Sequence, residues 1–178
     1  IRGTADLDSY EMAPVVMAKD IEPLSGEVRS DDAPAKRVEL HAHTKMSAMD
    51  GLNDVGTLLA TVAGWGHKAV AITDHGVVQA FPEAAKFVKK HKLDLKVLYG
   101  MEGYLTDEKG KRSNHIILLA QNRTGLTNLY RLVSLAHLEH FYRKPRIPKA
   151  LLSQWREGLL LGSACEAGEV FQAVVAGR

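Results

Sequence analysis

His41 and His43, one residue apart, begin a series of side chains able to bind metal. Residues at i and i+2 of an extended strand face the same side, so both imidazoles can reach one ion. Asp50, His75, Glu102, His115 and Cys165 follow along the chain and add nitrogen, carboxylate and thiolate donors. Seven donors exceed what one tetrahedral zinc takes, so the pattern points to a multinuclear centre in which Glu102 can bridge two ions. Such a centre activates water near neutral pH and holds a phosphate oxygen, the chemistry of phosphoester hydrolysis. The mixed donor set suits zinc, while its carboxylates also accept manganese or iron.

Other polar residues have plainer readings. Glu39, His41 and His43 alternate with Val38, Leu40 and Ala42. Three polar side chains on a strand expected to be buried favour ligation. His67 and His91 lie on polar helical stretches and are read as non-ligands. His137 and His140 have a helical spacing that can bind metal, yet they continue an apolar stripe from Val133. Asp74 could orient a ligand by a hydrogen bond and Ser47 could cap a helix, so both stay outside the ligand set. Arg143, Lys144, Arg146 and Lys149 stand beside Phe141 and Tyr142 and could contact a nucleic-acid backbone; a solvated loop is the plainer reading.

These donors need a frame. Short apolar runs predict strands at Val38–His43, Ala69–Thr73, Val97–Leu105, His115–Ala120 and Leu159–Ser163. Between them, Leu58, Leu59, Val62 and Trp65 mark one helical stripe. Ala84, Ala85 and Val88 mark a second, and Leu126, Leu129, Tyr130, Val133 and Ala136 a third. Asn53 and Asp54 are candidate N-caps for the first helix. Strands separated by helices imply parallel pairing, hence an α/β layered sheet or barrel, with the donors gathered where strands turn into loops. Ahead of this frame, Pro14–Ala18 reads as a strand with no evident partner, and the polar run from Ser25 to Pro34 reads as a linker over 25–35.

Composition sets the outer bounds. A chain of 178 residues holds one domain and a remainder; 46% hydrophobic and 25% charged residues exclude a disordered or collagen-like class. Apolar runs such as Ile116–Ala120 fall far short of the roughly 20 residues that cross a bilayer, so no membrane span is expected. One cysteine excludes an internal disulfide and agrees with a reducing cytoplasm. The chain begins with Ile1 and has no charged-then-apolar leader, so a fragment is expected. Residues 1–34 hold eight acids against three bases, whereas residues 35–178 hold thirteen acids against twenty bases. An acidic start and a basic body are compatible with phosphate-bearing partners.

The runs His41–Gly51, Ile72-Thr73-Asp74-His75, Gly100-Met101-Glu102 and Gly162-Ser163-Ala164-Cys165 resemble the successive motifs of the PHP (polymerase and histidinol phosphatase) domain. Within that superfamily, Lys36–Gly51, Asn114–Ala120 and Asn128–Ser163 resemble the PolC-type alpha subunit of bacterial DNA polymerase III. Residues 1–24 look like the end of the OB-fold region that precedes PHP there, leaving 36–178 as the PHP domain. The resemblance implies a distorted (β/α)7 barrel, C-terminally incomplete here, with up to three divalent ions, zinc or manganese, and magnesium for the parent polymerase. His41, His43, Asp50, His75, Glu102, His115 and Cys165 take the family's ligand positions. It further implies a bacterial cytoplasmic protein whose parent carries out template-directed DNA synthesis with DNA and replisome subunits as partners.

Two departures follow. Only Gly103–Asn114 separates Glu102 from His115, where PolC-type enzymes commonly carry an inserted proofreading exonuclease. The family's last metal motif is expected beyond Arg178, and the polymerase palm is outside this chain. A stand-alone phosphoesterase and a metal-braced, non-catalytic scaffold are the alternative functions.

Overall fold

The computed structural model describes residues 1–10, 12–22, 29–107 and 112–178. Residues 23–28, which hold the start of the expected linker, and 108–111, within the Gly103–Asn114 span, lie outside the described residues. The chain divides into two units, Ile1–Asp31 and Asp32–Arg178. In the first, Arg2–Asp8 (β1) pairs antiparallel with Ala13–Asp20 (β2). The strand expected at Pro14–Ala18 therefore does have a partner. Its partner carries three charges among seven residues and gives almost no apolar signal.

The second unit opens with a segment laid beside Ala69–Ile72 (β3). The Ala71 N–H donates to the Glu39 carbonyl at 2.8 Å and the Thr73 N–H to the Ala42 carbonyl at 2.9 Å. Only Glu39 and Val70 form a ladder bridge, so the strand expected over Val38–His43 is strand-like rather than a continuous ladder. The cause lies at Thr44, whose N–H donates to the Asp74 carboxylate at 2.6 Å and turns the chain away from the sheet.

The helix Val55–Gly64 (α1) buries Val55, Leu59 and Val62, three positions on one face. Asp54 is its N-cap residue but makes no capping bond, because its carboxylate pairs with Lys45 instead. Ala80–His91 (α2) buries Ala80, Phe81 and Ala84 and closes on Lys92 in a left-handed conformation. Lys96–Thr106 (β4) and Ser113–Ala120 (β5) follow, and Arg123–Leu138 (α3) begins on Asn122, whose side chain accepts the Gly125 N–H at 2.9 Å. Phe141–Tyr142 (β6), Lys144–Pro148 (β7), Lys149–Trp155 (α4), Leu159–Gly162 (β8) and Glu169–Val175 (α5) complete the order.

The sheet runs β6-β7-β4-β5-β8, with β3 paired to β4 beside this path. β4 is long enough for two partners along one edge. Its start, Lys96–Tyr99, pairs parallel with β3, and its end, Tyr104–Thr106, pairs parallel with β7. Its other edge pairs with β5, which runs antiparallel to both β4 and β8. The expected all-parallel pairing thus fails at one strand. Among the described residues no helix lies between β4 and β5, and a connection without a crossover returns the chain antiparallel. The basic run read as a solvated loop is also structured: β6 and β7 form a hairpin anchored by buried Ile147 against β4. The class is mixed α/β as expected, and the sheet does not close into a barrel among the described residues.

The core sits between this sheet and its helices, where Leu59, Ile72, Met101, Leu118, Leu129, Leu132 and Ile147 are fully enclosed. Removing each such side chain from water contributes roughly 2 kcal/mol. One close approach requires glycine: a Cβ on Gly125 would stand 1.8 Å from the Gly158 carbonyl oxygen. The missing side chain lets α3 lie against the turn that feeds β8. No helix among the described residues is long and apolar enough to cross a membrane.

Candidate metal centre

The candidate donors are delivered by several separate parts of this frame. His41 and His43 come from the segment beside β3, and their Nε2 atoms lie 3.1 Å apart. The alternation that puts them on one face is the i, i+2 rule acting on an extended chain. His75 follows β3 and bridges to Glu102, which stands within β4. His115 on β5 lies directly opposite Tyr104, two residues beyond Glu102, so all three share one face of the sheet. Asp50 ends the turn after Ser47, and Cys165 follows β8.

Glu102 is the hub. One of its oxygens, Oε2, lies 2.9 Å from His41 Nε2, 2.9 Å from His43 Nε2 and 3.3 Å from His75 Nδ1. Its Oε1 lies 2.8 Å from His115 Nδ1. The side chain is only 1% exposed. Burial pushes its carboxyl up, but the imidazoles of His43 and His41 bonded to it outweigh that and hold it down at about 2. The His43 pKa is raised, chiefly by the same hydrogen bond and against burial. Burial lowers that of His75. The His43 and His75 rings stack at 4.3 Å between centroids.

Three donor groups have atoms mutually within 4.8 Å: His41, His43 and Glu102; His43, Asp50 and His75; and His75, Glu102 and His115. Shared members link the three, as a multinuclear centre with a bridging carboxylate requires. Asp50 enters through Oδ2, 3.1 Å from His75 Nε2. Cys165 is outside these groups; its Sγ lies 3.8 Å from His115 Nδ1. All seven residues nonetheless line one open cavity of about 400 Å³, together with Glu166.

The donor set fits divalent cations on one observation beyond residue type. His75 Nδ1 is buried and has no hydrogen-bond partner, although Glu102 Oε2 is 3.3 Å away. A buried nitrogen facing a carboxylate oxygen already shared by two imidazoles is costly unless a cation takes its lone pair.

Of the remaining histidines, His91 ends α2 as expected, whereas His67 is buried just past the turn after α1 and His140 lies beyond the end of α3, not on the helices expected for them. His137 Nε2 contacts the Gly76 carbonyl at 2.9 Å, and neither it nor His140 joins a donor group among the described residues. Ser47 caps no helix: its hydroxyl lies 2.9 Å from His43 Nδ1 and donates to Asp74 at 2.7 Å. Tyr104 is the participant the sequence hides. Its ring lies parallel to His75 at 5.7 Å, edge-on to His115 at 5.2 Å, and under Lys144 Nζ at 4.2 Å. An aromatic in an apolar strand reads as core; the i, i+2 relation to Glu102 puts it on the donor face, and the β4–β5 register sets it opposite His115.

Comparison with known proteins adds relatives to this geometry. The PHP domain family matches residues 39–178. A DNA polymerase III PolC-type from Clostridium perfringens is 26% identical in an alignment covering 100% of this chain and 26% of that protein. The alignment spans 379 positions, so more than half of them have no counterpart among the 178 residues here. A DNA polymerase III PolC-type from Halalkalibacterium halodurans is 48% identical over 110 residues, 61% of this chain and 8% of that protein. The chain thus spans about a quarter or less of the length of these relatives. A solved amidohydrolase structure from Chromobacterium violaceum is 20% identical, covers 66% of this chain and 43% of that one, and superposes with a TM-score of 0.40.

Proposed function

Residues 39–178 belong to the PHP domain family, and from that premise we propose that the chain is part of a PolC-type replicative DNA polymerase III alpha subunit. In it, this segment is the metal-binding domain and the nucleotidyl-transfer site lies elsewhere. The observation that carries the reading is the span of the Clostridium perfringens alignment. It takes in all of this chain, including the 38 residues ahead of the family match. A PHP match alone fits a small phosphoesterase equally well; similarity through residues 1–38 favours the polymerase. On this reading residues 1–24 are the end of an OB-fold region, and DNA and replisome subunits are partners of the whole protein.

His41, His43, Asp50, His75, Glu102, His115 and Cys165 would hold up to three zinc or manganese ions, with Glu102 as the carboxylate common to two of the donor groups. A bound divalent ion supplies Lewis-acid activation of water and of a phosphate oxygen. The chain's own contribution is positional. Glu102 stays ionised beneath the imidazoles, β3 and the segment beside it hold His43 stacked on His75 with His41 edge-on to His43, and the open cavity leaves Asp50 facing solvent. That openness favours phosphodiester hydrolysis as the domain's own activity over a purely bracing role for the ions.

Two assays test these readings. The natural full-length polypeptide, given a primed template, nucleotides and Mg²⁺, should extend the primer; its failure to do so removes the polymerase reading. Zn²⁺- or Mn²⁺-loaded chain should cleave bis(p-nitrophenyl) phosphate, and His43→Ala should abolish cleavage. Absence of cleavage, combined with a melting temperature lowered by chelation, would assign the ions to bracing instead.

A further inference from the structure

Behind the donors lies a buried polar network that no ligand role accounts for. Asp74, 1% exposed, accepts three hydrogen bonds: from the Thr44 N–H at 2.6 Å, the Thr44 hydroxyl at 2.8 Å and the Ser47 hydroxyl at 2.7 Å. The Ser47 hydrogen is therefore committed to Asp74. The Ser47 oxygen accepts the His75 backbone N–H at 3.1 Å, and its remaining lone pair faces His43 Nδ1 at 2.9 Å. A hydroxyl whose one proton is already given can only accept there. His43 must donate from Nδ1, so in the neutral ring it is Nε2, the nitrogen on the side of Glu102 and His41, that has the lone pair a cation would take.

We infer that Ser47 and Asp74 are positioning residues that set the tautomer and ring orientation of His43, so that Nε2 is the atom presented to a divalent cation. The inference rests on reading the His–Glu cluster as a metal centre. Asp74 touches no donor side chain itself and acts through Ser47. Ser47 is the node, because it holds the His43 ring on one side and the His75 backbone on the other. A neutral histidine whose second nitrogen is not fixed divides between two tautomers, and one of them offers a cation an N–H in place of a lone pair.

Thr44 provides the control. Its hydroxyl donates to the same carboxylate from an equally buried position, yet it reaches no histidine. The test is Zn²⁺ affinity of the chain, measured by competition with a chromophoric chelator, for wild type, Ser47→Ala, Ser47→Thr and Thr44→Val. The Co²⁺ absorption spectrum of each is recorded alongside, as is the urea midpoint of each metal-free form. Ser47→Ala should bind Zn²⁺ about 10- to 100-fold more weakly with an altered Co²⁺ spectrum. Ser47→Thr, which keeps the hydroxyl, and Thr44→Val should stay within about threefold of wild type. Equal losses in Ser47→Ala and Thr44→Val would reduce Ser47 to a structural role and overturn the inference, as would unchanged affinity in Ser47→Ala. Wild type that binds no Zn²⁺, with His43→Ala indistinguishable from it, would instead remove the metal centre, and the inference with it. If Ser47→Ala yields no folded chain, Asp74→Asn, which removes the carboxylate that fixes the Ser47 hydrogen, is measured in its place: Zn²⁺ binding weaker than that of Thr44→Val supports the inference, and binding equal to it overturns the inference.

Discussion

Replacing Glu102 by Gln removes the one negative charge on which the imidazoles converge, and the structure sets the size and pH window of the effect. The carboxyl is held at about 2 against an ordinary 4.5. At 1.36 kcal/mol per pH unit, that difference stabilises the metal-free fold by about 3 kcal/mol. The sign follows from the direction. A depressed carboxyl contributes fully above its unfolded value of 4.5, and the contribution drains away as pH falls toward 2. The His43 partner runs the other way: its raised pKa gives a contribution that is complete below 6.5 and lost as pH rises through the raised value. The cost of Glu102→Gln should therefore peak at about pH 5 to 6 and shrink on both sides. Urea unfolding of the chelated chain and the variant, at matched pH steps from about 2.5 to 8, measures it as the gap between midpoints times the slope. A gap that stays constant across this range would refute the charge argument and leave Glu102 as a packing residue only.

Three further outcomes are expected. Zn²⁺ at about 100 times its dissociation constant should raise unfolding stability by about 2.7 kcal/mol, and His43→Ala should abolish the gain; calorimetry with and without chelator checks this. Leu118→Ala, at a fully buried site on β5 between β4 and β8, should cost about 2 to 5 kcal/mol in urea unfolding, and a cost under about 1 would mean the β4–β5–β8 layer is not packed as described. Gly125→Ala should destabilise the fold although alanine is the better helix former by about 1 kcal/mol, because its methyl would meet the Gly158 carbonyl; a gain in melting temperature would contradict that contact.

Much of this protein was open to a reader of its sequence, and for a definite reason. Ligand chemistry is carried by residue type and by spacing within single elements. The i, i+2 pair His41–His43, the acid at Glu102 and the polar residues following β3 announce themselves wherever the chain is extended. Helical stripes gave α1, α2 and α3 because burial repeats every three to four residues, and short continuous apolar runs bounded by polar residues gave β3, β4, β5 and β8. What spacing cannot carry is pairing. Whether β5 returns parallel or antiparallel depends on the connection, and β1 escapes notice because an exposed strand has no hydrophobic pattern. The roles of Tyr104 and Ser47 were decided by tertiary structure for the same reason. Tyr104 is distant in sequence from His75, and Ser47 from Asp74, so nothing local distinguishes them from a core aromatic and a turn serine. The sequence by itself determined which atoms are available to bind metal. Only the register of β4 on β5, and the turn that Asp74 pulls from Thr44 to Ser47, decided which of those atoms meet, because contacts between distant residues are set by packing and not by spacing along the chain.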